Sequence, residues 1–252
     1  MSNYRGNPAI NASALKQILK SPAKYKYGLT AKQITTAALK LGNAAHCAIL
    51  EPQEFEARYI VKPEGLSLAT KEGKEWKAKV FDREILSYDE MEAVTGMLES
   101  IQAHKAFRLF ETGLAEFEIY TEIDGTPAKA KVDFMNDKGV IVDLKTTEDA
   151  SLRGFSQSVF KYDYALQAAW YIDAARAAGY DITHFIFLAV EKTAPFLTAI
   201  YQLDDDAIEY GRKQYKEALR IYRECNVTGD WYGYSDSIET ISLPNWLVGA
   251  YV

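Results

Sequence analysis

The stretch Lys129-Ala130-Lys131-Val132-Asp133-Phe134-Met135-Asn136-Asp137-Lys138-Gly139-Val140-Ile141-Val142-Asp143-Leu144-Lys145-Thr146-Thr147 decides how this chain is read. Two apolar runs flank Asn136-Asp137-Lys138-Gly139, a turn signal, so the pattern predicts a β-hairpin. If Asp137-Lys138-Gly139 is a three-residue loop with Gly139 left-handed, Met135 faces Ile141 and Asp133 faces Asp143. Opposed residues of an antiparallel pair hold their Cβ atoms about 4.5–5.5 Å apart, where like charges repel. A divalent cation between them reverses that sign, because Mg²⁺ is held by one or two carboxylates with water and phosphate oxygens. Strand alternation buries Leu144 and returns Lys145 to the face of Asp143. A two-residue loop would instead send the two aspartates to opposite faces. A solvated hairpin with its polar face outward is the competing reading, and the hairpin alone leaves it open.

The chain has 252 residues, 48% of them apolar, enough for a sizeable core. We read one domain over residues 1–252. Residues 1–112 form a mainly helical part, 113–203 a core sheet with a long helix, and 204–252 a C-terminal helix and aromatic tail. Two cysteines, Cys47 and Cys225, supply no disulfide framework and suggest a reducing compartment. No apolar run reaches the roughly 18 residues a membrane span needs, and the first residues lack a signal-peptide core. The expectation is a soluble intracellular protein with no membrane partner. A net charge of −6 argues against general nucleic-acid affinity. Residues 1–50, however, hold seven Lys/Arg and no Asp or Glu. Such a basic arm can bind phosphates, with a solvated helix face as the alternative.

Taken in order, Asn11 or Ser13 caps a short helix that Ser21-Pro22 ends. Lys24 and Lys26 alternate with Tyr25 and Tyr27, a pattern that contacts phosphates and stacks bases, or pins the segment to the core. Thr35 or Thr36 opens a helix over Ala37–Leu50. Gly42 and His46 share its face, and Gly42 admits a close neighbour there. His46 is either a core histidine or, with Asp133 and Asp143, a metal ligand. Residues 54–112 read as charged helices around Thr70–Lys79, Tyr88–Gln102 and Lys105–Phe110. Strands follow at 115–120 and 126–134, across the Asp124-Gly125 turn. On the second strand Lys129, Lys131 and Asp133 share a face, where the lysines either meet DNA phosphates or pair with Glu116, Glu118 or Glu122. Leu152–Ala178 is helical with a break near 160–163, and Gln167 and Tyr171 face one way. Strands at 184–190 and 196–201 and a helix over 204–224 complete an α/β class, a mixed sheet flanked by helices.

With these residues in view, the chain resembles the PD-(D/E)xK nuclease superfamily, and more narrowly the nuclease part of the exodeoxyribonuclease VIII family of phage recombination. The matching pieces are Leu41-Gly42 through His46 to Glu51-Pro52, Glu116, Val132-Asp133, Asp143-Leu144-Lys145 and Gln167 with Tyr171. The opening Asn11 to Pro22 and the closing Tyr232 to Trp246 share that look. Val132 stands where the superfamily name has proline, and the second acid is Asp rather than Glu.

The resemblance implies a restriction-endonuclease-like core. It implies that His46, Asp133, Asp143 and the Leu144 carbonyl hold Mg²⁺, for which Mn²⁺ substitutes. Lys145 would orient the attacking water, Glu116 would join through water or a second metal, and Gln167 and Tyr171 would support the site. The implied activity is 5′→3′ digestion of duplex DNA ends, leaving 3′ tails for a single-strand annealing partner. A homo-oligomeric ring and a phage- or prophage-encoded protein in the bacterial cytoplasm are implied as well. Nucleases of repair or CRISPR adaptation keep the same core but often hold a four-cysteine cluster, which Cys47 and Cys225 cannot build. A DNA-binding protein with a dead site is the reading from another class, and the intact Asp133, Asp143 and Lys145 argue against it.

Overall fold

The fold is taken from a computed structural model, which describes residues 4, 6–31 and 35–242. Its helices are α1 (Ala12–Lys20), α2 (Pro22–Gly28), α3 (Ala37–Leu50), α4 (Pro52–Arg58), α5 (Lys71–Lys79), α6 (Tyr88–Ala103), α7 (Leu152–Lys161), α8 (Tyr164–Ala177) and α9 (Asp205–Thr228). Its strands are β1 (Tyr59–Val61), β2 (Glu84–Leu86), β3 (Gly113–Ile123), β4 (Thr126–Asn136), β5 (Val140–Thr147), β6 (His184–Glu191) and β7 (Thr198–Gln202).

The helix starts follow from local chemistry. Asn11 accepts from the Ala14 N–H, Ser21 from Lys24 and Thr36 from Leu39, so each satisfies an otherwise orphan donor. Pro22 sits in the first turn of α2, where a missing N–H costs nothing. The expected break in the long helix falls at Asp163, whose φ of +52° no helix continues.

Strands β3 to β7 form one mixed sheet in sequential order. β3, β4 and β5 make an antiparallel meander; β6 runs parallel to β5 through the α7–α8 crossover; β7 returns antiparallel. One core lies between the sheet and α1, α7, α8 and α9, built on Leu15, Ile141, Phe155, Leu166, Trp170, Phe187 and Leu219. The second lies under α3 and α6, built on Ala44, Met97, Ile101, Val142, Leu144, Leu188 and Val190. β5 and β6 are therefore buried on both faces, as strands in a parallel pair usually are.

The turn of the central hairpin has the expected form. Gly139 is left-handed at φ +72°, and Met135 pairs with Ile141. The Asn136 side chain accepts from the Lys138 and Val140 N–H groups at 3.0 and 2.9 Å, which fixes the loop.

The alternation beyond the turn is not regular. On β4, Ala128, Ala130 and Val132 face the first core, yet Phe134 faces the second. On β3, Phe117 and Ile119 face the first core and Ala115 packs on the second. Both strands slip by one residue at the same level, at Glu116 and Asp133, which lie opposite one another between the Ala115–Phe134 and Phe117–Val132 pairs. Glu116 carries the slip with φ +51°.

Residues 54–112, read from the sequence as helices and loop, also contain β1 and β2, a two-stranded parallel sheet. Strands of three residues are too short to show alternation. β7 starts at Thr198 rather than at 196, because Phe196 takes φ +57° and lays its ring against Gly96 of α6. The tail reading around Leu243–Trp246 lies outside the described residues.

Candidate active site

The slip at Glu116 and Asp133 builds the site. At Asp133 the β4–β5 ladder stops, because the Asp133 carboxylate, not a backbone carbonyl, accepts the Leu144 N–H at 2.7 Å. The side chain thereby stays between the strands rather than on one clean face. His46 arrives from α3, with Nδ1 3.7 Å from the same Asp133 oxygen. Gly42, one turn earlier, makes this possible: a Cβ there would lie 3.3 Å from the Thr146 hydroxyl on β5. His46, Glu116 and Asp133 each offer a ligand atom, and the three atoms lie within 4.8 Å of one another. Glu116 also pairs with Lys131 at 2.5 Å. A non-glycine residue held left-handed within a strand costs on the order of 1–3 kcal/mol, and such strain clusters at functional sites.

Asp143 is fully buried and forms an ion pair with Lys145 on its own strand. Gln167 of α8 donates to its second oxygen at 2.7 Å. The Lys145 ammonium lies 4.9 Å from the centre of the Tyr164 ring and 6.0 Å from that of Phe187. Tyr171, one turn beyond Gln167, packs against Phe185.

Burial and charge set the protonation states. Burial, then Asp143 beside it, pushes the Asp133 carboxyl well above the usual range. Burial works to lower the Lys145 ammonium, but Asp143 and Asp133 outweigh it and hold its pKa above the ordinary value. Burial and then Lys145 push His46 down to about 4, so its imidazole is neutral at physiological pH. The Leu144 backbone works in the opposite direction on His46, raising its pKa, but does not outweigh burial. Burial, then Asp143 and Asp133, raises the Tyr171 phenol well above 10.0. A neutral imidazole with two carboxylates, one of them buried beside a further acid, fits a hard divalent cation.

The structure thus gathers His46, Glu116, Asp133, Asp143, Lys145, Gln167 and the Leu144 carbonyl in one place, with Tyr171 close behind. The carboxylate that lies nearest His46 and Asp133 is not the expected one. Asp143 is engaged by Lys145 and Gln167, and Glu116 is the residue grouped with His46 and Asp133. The phase slip explains the exchange, since it brings β3 and β4, rather than β4 and β5, carboxylate to carboxylate.

The four lysines read as DNA contacts fare differently. Lys129 is buried and donates to the Tyr4 and Asn7 carbonyls at 2.7 and 2.6 Å, so its charge faces the interior rather than a phosphate. Lys131 is spent on Glu116. Lys24 donates to the Tyr234 hydroxyl at 2.7 Å, and Lys26 lies 5.1 Å from the Trp231 ring; both are solvent-exposed. Between them Tyr25 is buried against Trp231 and Tyr222, pinning the segment.

Lys16 belongs to the basic arm of residues 1–50, and no sequence pattern places it in the site. Its ammonium donates to Gln167 Oε1 at 3.0 Å and to the Tyr162 carbonyl at 2.8 Å. Burial, with Lys145 nearby, pushes it down to about 8. Its one sequence signal is its place in the opening Asn11 to Pro22 stretch.

A five-stranded mixed sheet between two helical layers, with acids on adjacent strands and a lysine two residues beyond the last, defines the restriction-endonuclease-like class. The chain belongs to the family described as "PDDEXK-like domain of unknown function (DUF3799)", whose model matches residues 11–244. Among solved structures, a provisionally named exonuclease from Eubacterium rectale superposes with a TM-score of 0.66 at 15% identity, covering 100% of this chain and 96% of that one. A phage-related exonuclease from Haemophilus somnus is matched at 12% identity, with coverage of 88% and 96% and a TM-score of 0.37. An alkaline exonuclease from Laribacter hongkongensis is also 12% identical, with coverage of 74% and 90% and a TM-score of 0.32. The last two superpose too loosely to bear on the argument, and the first bears on the fold alone. No curated protein matches the chain. No helix among the described residues is long and apolar enough to cross a membrane.

Proposed function

We propose that this protein is a metal-dependent deoxyribonuclease that digests linear duplex DNA from its ends, in the 5′→3′ direction. The observation that carries this reading is the His46, Glu116 and Asp133 cluster set beside the Asp143–Lys145 pair. His46, Glu116 and Asp133 would hold Mg²⁺ or Mn²⁺, with Asp143 and the Leu144 carbonyl at the edge of the same site. When bound, the cation supplies Lewis acidity toward phosphoryl oxygens and lowers the pKa of nearby water.

The protein's own groups do the rest. Lys145, kept cationic by Asp143 and Asp133, orients the attacking water and offsets negative charge that grows on the phosphate. Gln167 holds Asp143 in place, and the aromatic wall of Tyr164 and Phe187 limits where the lysine can go. Hydrolysis breaks one phosphate–oxygen bond and adds water across it, so no oxidant or cofactor beyond the cation is required. The 3′ tails so produced would pass to a single-strand annealing protein, and a ring of copies of this chain around the duplex would retain the substrate. A bacterial cytoplasm, reached by a phage or prophage, is the setting in which such a reaction is useful.

Linear duplex labelled at the 5′ or the 3′ end, incubated with Mg²⁺, with EDTA, or with Lys145→Ala, tests the reading. Early release of the 5′ label in Mg²⁺ only, and loss of activity in the variant, is expected. Equal digestion in all three samples would sink the mechanism, and early release of the 3′ label would reverse the polarity alone.

A further inference from the structure

We infer that Lys16 is a positioning residue for this site, acting through Gln167 on Asp143. This rests on the nuclease reading for its kinetic consequence, but not for its structural one.

The geometry is a chain of four groups. A lysine ammonium has three N–H donors and no acceptor. Its contact with Gln167 at 3.0 Å therefore requires the amide oxygen to face Lys16. The amide nitrogen must then face Asp143, and it does so at 2.7 Å. Asp143 Oδ1 consequently receives a proton rather than giving one, while Lys145 takes the other oxygen. Donation runs one way from Lys16 to Asp143. Without Lys16, the Asp143 carboxylate still selects the amide nitrogen, but the amide oxygen loses its partner and the Gln167 side chain its second anchor, so the bond to Asp143 is held less firmly.

The second contact makes Lys16 a strut. Its bond to the Tyr162 carbonyl, at 2.8 Å, ties α1 to the break between α7 and α8. That carbonyl belongs to the two-residue junction whose Asp163 is left-handed. The ammonium also lies 5.2 Å from the centre of the Tyr164 ring, the same ring that Lys145 approaches. One residue thus fixes the start of α8, the amide of Gln167 and one neighbour of the Lys145 ring contact. Lys16 touches neither Asp143 nor the groups proposed to hold the cation, which is why its role is positioning.

The test is a double-mutant cycle with Lys16→Met, Gln167→Ala and the pair, together with Lys16→Arg and Lys16→Gln. Lys16→Met is expected to lower kcat roughly tenfold and to change KM for duplex by less than about twofold, in line with coupling through one network. In the Gln167→Ala background the same change should cost less than about twofold. Lys16→Arg should recover most of the loss, and Lys16→Gln, which keeps a hydrogen-bond donor but neither the charge nor the full reach, should not. Additive losses, or a Lys16→Met enzyme as active as wild type, would overturn the inference.

A second readout is independent of catalysis. The Gln167 side-chain amide, assigned by NMR through its absence in Gln167→Ala, should give one distinct pair of proton signals in wild type. In Lys16→Gln it should shift or broaden toward the position of free glutamines. An unchanged pair would refute the role of Lys16 whether or not the protein cuts DNA. Failure of the wild type to cut DNA would count against the nuclease reading alone.

Discussion

Substituting Gly139 by alanine tests the hairpin on which the site depends. Gly139 is left-handed, and a Cβ there would run into the Asp181 carbonyl of the segment entering β6. Two costs add. A left-handed alanine costs roughly 1–2 kcal/mol. Forcing extra volume against backbone typically costs a further 1–3 kcal/mol. Gly125 supplies the control, because it is equally left-handed in the β3–β4 turn and a Cβ there would meet nothing within 4 Å. Gly125→Ala should therefore show conformational strain alone, about 1–2 kcal/mol. The total expected for Gly139→Ala, about 2–5 kcal/mol, is a large share of a typical 5–15 kcal/mol stability. Urea denaturation of both variants, with the slope m checked for constancy, gives the comparison. In thermal melts the larger loss corresponds to roughly 2–4 °C per kcal/mol for a chain of this size. Equal losses at the two glycines would refute the reasoning, since they would remove the collision with Asp181.

Other consequences can be measured directly. Lys129→Met leaves the Tyr4 and Asn7 carbonyls without their buried donor, so it should cost about 1–3 kcal/mol in urea melts and leave KM for duplex unchanged. Asp173 is held by Arg212 at 2.7 and 2.8 Å and by the Tyr215 hydroxyl at 2.6 Å. Burial works against its charge, but those hydrogen bonds outweigh it and hold the carboxyl below the usual range. The unfolded chain then binds the proton first as pH falls, so this contribution is full above the ordinary carboxylate pKa and is lost at acid pH. A melt series should show Asp173→Asn flattening the acid limb, and an unaltered limb would contradict that assignment. Glu116→Gln should weaken Mn²⁺ binding at least tenfold by titration calorimetry while melting as wild type does; unchanged affinity would remove Glu116 from the cation site.

Much of the scaffold was legible because its signals are local. Asn11, Thr36 and Asp204 mark helix starts through side-chain caps, and Asp124-Gly125 and Asn136 to Gly139 mark turns through backbone preference. What was not legible is non-local. The slip that pairs Glu116 with Asp133 has no pattern in either strand alone, since each simply reads as an alternation that changes phase. Lys129 follows the exposed phase of its strand and is nevertheless held by the Tyr4 and Asn7 carbonyls, more than a hundred positions away. Lys16 and Gln167 are 151 residues apart, so no window of sequence joins them. The short β1 and β2 strands escaped because three residues carry no periodicity.

The central claim is that Glu116 and Asp133, brought together by that slip, share a divalent cation with His46. Anomalous diffraction from crystals soaked in Mn²⁺ tests it most directly. One strong peak is expected, bounded by these three side chains and beside Asp143 and Lys145. No peak there at millimolar Mn²⁺, or a peak held by other residues, would contradict it.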